Sequence, residues 1–442
     1  MPRGIIRLCL LGLGLLASAE GPAADLLEVY REAVVRDAQY ASAKAAYSAA
    51  QEKLPPGRAG LLPSVSLSAN STYNDRDFQS RGAPGTPSAQ FNSNAVSVTA
   101  TQPLYRKQNF VVYEQSKLQV AQAETQFRSA GQDLILRVAQ AYFDVLLAEN
   151  NVQLAAAQKA AIAEQLAQAK RNFEVGTATI TDTHEAQARF DLVTAQEIAA
   201  INDLEIRRRA LEQITGRPTA TLKPVGEKLG LKLPEPNAMD SWVEAASANS
   251  PQVAVQQTAL DIAAQEVERN RGGHYPTIDL VATYSDTGQG AGTFGGSGFD
   301  VTTKSLGLQL ALPLYQGGGQ QSRVREALAN QDKAREDLEN TRRSVALVTR
   351  QAFLGVTSGI AQVKALEQAL TSTQSQVDST KLGQEVGVRT GVDVLNAQQQ
   401  LYSARRDLYS ARYNYLLSHL RLKAAAGTLA EEDLKAVNDT LR

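Results

Sequence analysis

Residues 64–73 alternate strictly between two kinds of side chain. Val65, Leu67, Ala69, Ser71 and Tyr73 fall on one face, and Ser64, Ser66, Ser68, Asn70 and Thr72 on the other. This two-residue period predicts a strand with one greasy and one wet side. A Gly/Pro/Ser-rich stretch from about Asp75 to Asn92 predicts a loop, and Val96, Val98 and Ala100 in "NAVSVTATQPLY" predict a returning strand. On either side the period lengthens. Asp25–Lys53 consists of good helix formers with no Gly or Pro, and predicts one helix ending at Pro55-Pro56-Gly57. After Tyr105, apolar or small residues recur in three- and four-residue steps: Leu134, Val138, Ala141, Val145, Ala148, Val152, Ala155, Ile162, Leu166, Ala169 and Phe173. That spacing is a coiled-coil seam, and about 65 helical residues at 1.5 Å each reach roughly 100 Å. Gly176 is expected to break this helix at a tight hairpin, with Asp182 capping a second helix that returns to Gly216.

The pattern then runs a second time. "EVGTATITDTHEAQ" at Glu174–Gln187 reappears as "EVGVRTGVDVLNAQ" at Glu385–Gln398. Pro63 matches Pro276, the "QPLY" of Gln102–Tyr105 matches the "LPLY" of Leu312–Tyr315, Gly176 matches Gly387, and Gly216 matches Gly427. The organisation read from these landmarks is a first repeat over 25–216, a Pro-rich linker over 217–240, a second repeat over 241–427 and a tail over 428–442, with linker and tail expected at the equator of the molecule. The second repeat predicts a helix from Ser241 to about Arg271, the strands "HYPTIDLVATYSD" and "KSLGLQLALPLYQ", and another helical hairpin. Its seam continues through Leu338, Val345, Val348, Ala352 and Leu366. Small residues between these positions suit helices packed side by side in a wall.

One chain thus supplies four amphipathic strands, which cannot close on themselves. The last places Leu306, Leu308, Leu310 and Leu312 opposite Ser305, Gly307, Gln309 and Ala311, as expected for lipid outside and water inside. Single-chain membrane barrels begin at about eight strands, so four require other subunits. A soluble sandwich edge is the competing reading. Charge does not point elsewhere: the 442 residues carry a formal net charge of −1 with acids and bases interspersed, which argues against a nucleic-acid partner. The N-terminus has the basic start, apolar core "LCLLGLGLLA" and Ala17-Ser18-Ala19 of a secretory signal peptide over residues 1–19, with cleavage after Ala19 or Ala24. The apolar run is too short for a membrane anchor. Cys9, the single cysteine, lies inside it, so no disulfide, thiol chemistry or lipid attachment is expected in the mature chain.

Over essentially its whole mature length the chain resembles the TolC family of outer-membrane efflux and secretion channels. The resemblance is carried by the duplicated element order, by "LPLYQGGG" at Leu312–Gly319, by "ITG" closing the first half, and above all by Val386–Leu422. It implies a homotrimer whose strands form one twelve-stranded β-barrel in outer-membrane lipid, continued by a long periplasmic α-helical barrel. It also implies a passive duct joined by a periplasmic adaptor (membrane fusion) protein to an inner-membrane pump of RND or ABC type, with no cofactor. At the hairpin tips it implies an iris-like mouth. Residue by residue, Asp182 is the acceptor and Arg389 the donor of a latch, with Thr181 beside them. Gln384 stands where the family often has tyrosine. Asp393 matches an acidic ring at the constriction, and Asn396 stands where a second aspartate is often found.

Other chemistry has little support. His184, His274 and His419 are scattered without metal-ligand spacing or a nucleophile motif, so an enzyme is not expected. Tyr402, Tyr409, Tyr413 and Tyr415 are read as packing between helices. A soluble periplasmic coiled-coil scaffold, or the adaptor itself, remains the alternative function.

Overall fold

The computed structural model describes residues 23–77, 89–218, 221–226, 229–291 and 297–441. The expected signal peptide and the centres of both strand-connecting loops lie outside the described residues.

Four antiparallel strands form one sheet in the order β1 (Ser64–Arg76), β2 (Ala89–Tyr105), β3 (Thr277–Gln289) and β4 (Phe299–Ala311). Register is what gives the sheet its two faces. Leu67 lies opposite Val98, Val98 opposite Tyr284, Ala100 opposite Ala282, and Ala282 opposite Leu306. Leu280 pairs with Leu308 and Ile278 with Leu310, so the apolar positions of all four strands fall on one face. The other face is a mat of hydroxyls, with Ser68 opposite Ser97, Ser97 opposite Ser285, and Ser285 opposite Thr303. Leu306, Leu308 and Leu310 are 73%, 70% and 67% exposed in the single chain, so this face is built to be covered by something other than the chain itself. β2 and β4 both start earlier than their alternation announced, at Ala89 and Phe299. β4 ends at Ala311, so Leu312 lies beyond the strand, next to Pro313, which has no amide hydrogen for a ladder.

Two long helices leave the sheet, α4 (Lys107–Glu174, 68 residues) and α8 (Gly319–Glu385, 67 residues), and each returns through a hairpin as α5 (Ile180–Thr215) or α9 (Gly391–Ala425). Of the expected first seam, Leu134, Val138, Val145, Ala148, Ile162 and Leu166 are buried, whereas Phe173 is exposed near the tip. In the second, Leu338 and Val345 are buried and Val348 is exposed. The main core sits midway along α4, where Leu134, Val138, Tyr142 and Phe143 meet Val356 and Val363 of α8 and Leu416 and Leu420 of α9.

The two helices that precede the strands are not continuous. The first divides at Asp37 into α1 (Leu26–Arg36) and α2 (Ala38–Gln51), and α3 (Leu54–Ala59) carries Pro55-Pro56 into a further helical turn instead of ending there. Asp37 has extended dihedrals, and its side chain accepts the Tyr40 amide at 2.6 Å. The second divides at Ser250 into α6 (Met239–Asn249) and α7 (Pro251–Arg271), because Pro251 is tolerated at a helix start but not inside one. The tail is partly helical: α10 (Glu431–Asn438) buries Leu434 in the main core. The linker is laced to the same level, with Leu222 bridged to Ala24, Val225 bridged to Leu441, and the Tyr415 hydroxyl accepting the Lys232 amide at 2.8 Å.

Candidate functional site: the paired hairpin tips

Both tips use one construction. Gly176 and Gly387 have φ of 79° and 78°, a left-handed conformation that strains any side chain. The Gly176 amide donates to Phe173 O and the Thr177 amide to Asn172 O, and Gly387 and Val388 repeat this with Gln384 O and Gly383 O. These are the crossed bonds of a Schellman turn. The helix that follows opens with a capping box in which the cap is threonine. Thr179 Oγ1 accepts the Asp182 amide at 3.3 Å while Asp182 Oδ2 accepts the Thr179 amide at 3.0 Å. Thr390 and Asp393 do the same at 3.2 and 2.9 Å. Asp182 is therefore the third residue of its helix, not the cap expected from its place after Gly176. Donation by the Thr390 backbone and hydroxyl, with the Arg389 charge nearby, holds the Asp393 carboxyl below the usual carboxylate range.

Within the second tip Gln384, Arg389 and Asp393 are neighbours. A Cβ on Gly383 would come within 2.8 Å of Arg389 Cγ, and one on Gly391 within 3.4 Å of the Gln384 amide nitrogen, so the two side chains pack over glycines of their own turn. Thr181 and Asp182 belong to the first tip. Among the described residues no salt bridge joins Asp182 to Arg389 inside the chain.

One contact between the tips has no sequence counterpart. Arg189 of α5 donates through Nη1 to Gln399 Oε1 at 2.6 Å and through Nη2 to Asn396 Oδ1 at 3.0 Å, both on α9. Asn396 and Gln399 are three apart and so share a helix face, but nothing in the α5 pattern tells which arginine would meet them. Of the tyrosines, Tyr413 and Tyr415 are buried in the main core, while Tyr402 and Tyr409 are half-buried. His419 contacts Lys232 O at 3.1 Å. Among the described residues no group of three or more His, Cys, Asp or Glu is placed to hold a metal, and no helix is long and apolar enough to cross a membrane.

A profile of the outer membrane efflux protein family matches residues 29–217 and 242–428, one match for each repeat. The chain belongs to the outer membrane efflux protein family. It is 34% identical to outer membrane protein TolC of Vibrio cholerae over 431 residues, covering 97% of this chain and 96% of that one. It is also 34% identical to the alkaline protease secretion protein AprF of Pseudomonas aeruginosa over 427 residues, covering 96% and 88%. The fold is shared with the outer membrane protein VceC of Vibrio cholerae, with a TM-score of 0.77, 18% identity and coverage of 91% and 96%. The Campylobacter jejuni CmeC outer membrane channel superposes with a TM-score of 0.79 at 16% identity, covering 100% and 98%. This outer membrane efflux protein therefore resides in the outer membrane through its sheet, with its helical part in the periplasm. It serves as an exit duct of the efflux and type I secretion class.

Proposed function

We propose that three copies of the chain form one continuous duct whose periplasmic mouth is gated by the hairpin tips. The observation that carries this reading is the sheet. Its apolar face runs across all four strands, and β1 and β4 are outer strands whose edges need partners wherever the sheet meets lipid. A neighbouring copy offers β4 to β1, and three copies close the barrel. A periplasmic adaptor and an inner-membrane pump of RND or ABC type supply contact and energy, while the duct itself performs no chemistry. Secreted polypeptides are one cargo class, suggested by a relative named for alkaline protease secretion.

In the closed mouth, Arg389 of one copy faces Asp182 and Thr181 of the next, with Gln384 as an added donor. Asp393 supplies three carboxylates around one constriction, next to Asn396. The lack of an Asp182–Arg389 bond inside the chain is compatible with a latch between copies. Planar-bilayer recording tests this on three proteins. Arg389→Ser should give larger conductance than the parent, and Asp393→Asn should reduce cation preference and block by multivalent cations. Parent-like conductance in Arg389→Ser, with parent-like block in Asp393→Asn, would remove both residues from the mouth.

A further inference from the structure

Below the equator the two hairpins of one chain touch in only a few places. Leu395 of α9 packs with Ile162 and Leu166 of α4 and Ala186 and Val193 of α5. Next to this apolar contact Arg189 makes its two bonds to Asn396 and Gln399, and its own carboxylate neighbour, Glu185, is 4.0 Å away. Guanidinium groups only donate, so both amide oxygens must face it. From here toward the middle of the molecule a cleft of ≈ 390 Å³ lies between α4, α5 and α9, lined among others by Asn151, Leu192, Gln196, Tyr402 and Arg406. At the far end α9 is fixed to α4 again. Asn150 Nδ2 donates to the Tyr413 hydroxyl at 2.6 Å, the Phe143 and Tyr413 rings stack at 5.6 Å, and Arg421 donates to Gln140 at 2.7 Å. The second hairpin is thus held above by a buried aromatic anchor and below by one arginine beside a small apolar contact, with a gap between.

We infer that Arg189 is a gating residue of the mouth. It clasps the two hairpins of a single chain, and opening requires this clasp to part while α9 pivots about Tyr413. The inference rests on the gated-duct reading and is independent of the Asp182–Arg389 latch, which acts between copies. It also changes what Asn396 does. The amide is a receptor for Arg189, so a carboxylate placed there would be drawn into the clasp instead of adding a free charge to the constriction.

The test is single-channel recording of the full-length protein in planar bilayers, comparing the parent with Arg189→Ala, Arg189→Lys, Asn396→Asp and the double variant Arg189→Ala/Asn396→Asp. Arg189→Ala removes both bonds and should raise the open-to-closed ratio by at least about tenfold, the factor that corresponds to ~1.4 kcal/mol. Arg189→Lys should raise it less, because lysine keeps the charge but cannot reach both oxygens as a fork. Asn396→Asp should lower the ratio, and that lowering should vanish in the Arg189→Ala background. A parent-like ratio in Arg189→Ala, or an Asn396→Asp effect of equal size with and without Arg189, would overturn the clasp and leave the duct reading intact. Absence of channels from the parent protein would overturn the duct reading and the clasp with it.

Discussion

Arginine in place of Leu308 or Leu310 should remove most of the membrane-assembled protein, whereas arginine in place of Ser305 should leave it largely intact. Leu308 and Leu310 are paired with Leu280 and Ile278 on the apolar face, and Ser305 with Thr283 on the hydroxyl face. A cationic side chain on the lipid face of a barrel costs about 2–4 kcal/mol near the bilayer midplane and ~0–1 kcal/mol near an interface, and the cost is incurred in every copy. The quantity to follow is the fraction of chain recovered from outer membranes as a detergent-resistant oligomer. Loss in Ser305→Arg with normal assembly in both leucine variants would mean that the two faces are assigned the wrong way round.

The second large effect is expected far from the membrane, at Arg137. Its guanidinium reaches both oxygens of Asp37 at 2.9 Å, and the Asp37 side chain is only 5% exposed. Removing one partner leaves a buried charge without compensation, so Arg137→Ala should destabilise the chain by about 3–5 kcal/mol at neutral pH. The Arg137 hydrogen bonds are the leading cause of a lowered Asp37 pKa, with the Tyr40 and Gln39 amides contributing against the opposing effect of burial. The sign follows from linkage. A carboxyl with a depressed folded pKa contributes stability that is present above the unfolded value near 3.9 and is lost as pH falls through the folded value. The gap between parent and variant should therefore narrow on acidification below about pH 4. Denaturant unfolding in detergent, followed by circular dichroism at neutral and strongly acidic pH, checks this. A gap that does not change with pH would show that the Asp37 charge is not what Arg137 compensates.

Asp37 also shows where sequence reading reaches its limit. The residues around it are all good helix formers, and what divides α1 from α2 is a capping carboxylate held by an arginine a hundred positions away. Local propensity carries no trace of such a partner. The division at Ser250-Pro251 had a local signal, because a proline marks a helix start, yet the single helix expected from Ser241 to about Arg271 runs across it. The strand faces and helix seams were legible as periods, because burial repeats with the geometry of each element. Register across the strands was not, although the alternation constrained it. At the tips, duplication exposed Gly176 and Gly387 in a single chain, but not the Thr–Asp capping boxes, since Asp182 was expected as the cap that Thr179 supplies. The Arg189 clasp stayed hidden because its spacing matters only once α5 and α9 are brought together, and no period in either helix encodes that meeting.

In the proposed trimer, four strands per chain become a membrane barrel only in company. Native mass measurement on the protein extracted from outer membranes in mild detergent tests it most directly. One species with the mass of three mature chains, and no free chain, is expected. A water-soluble single chain recovered from the periplasm would contradict it.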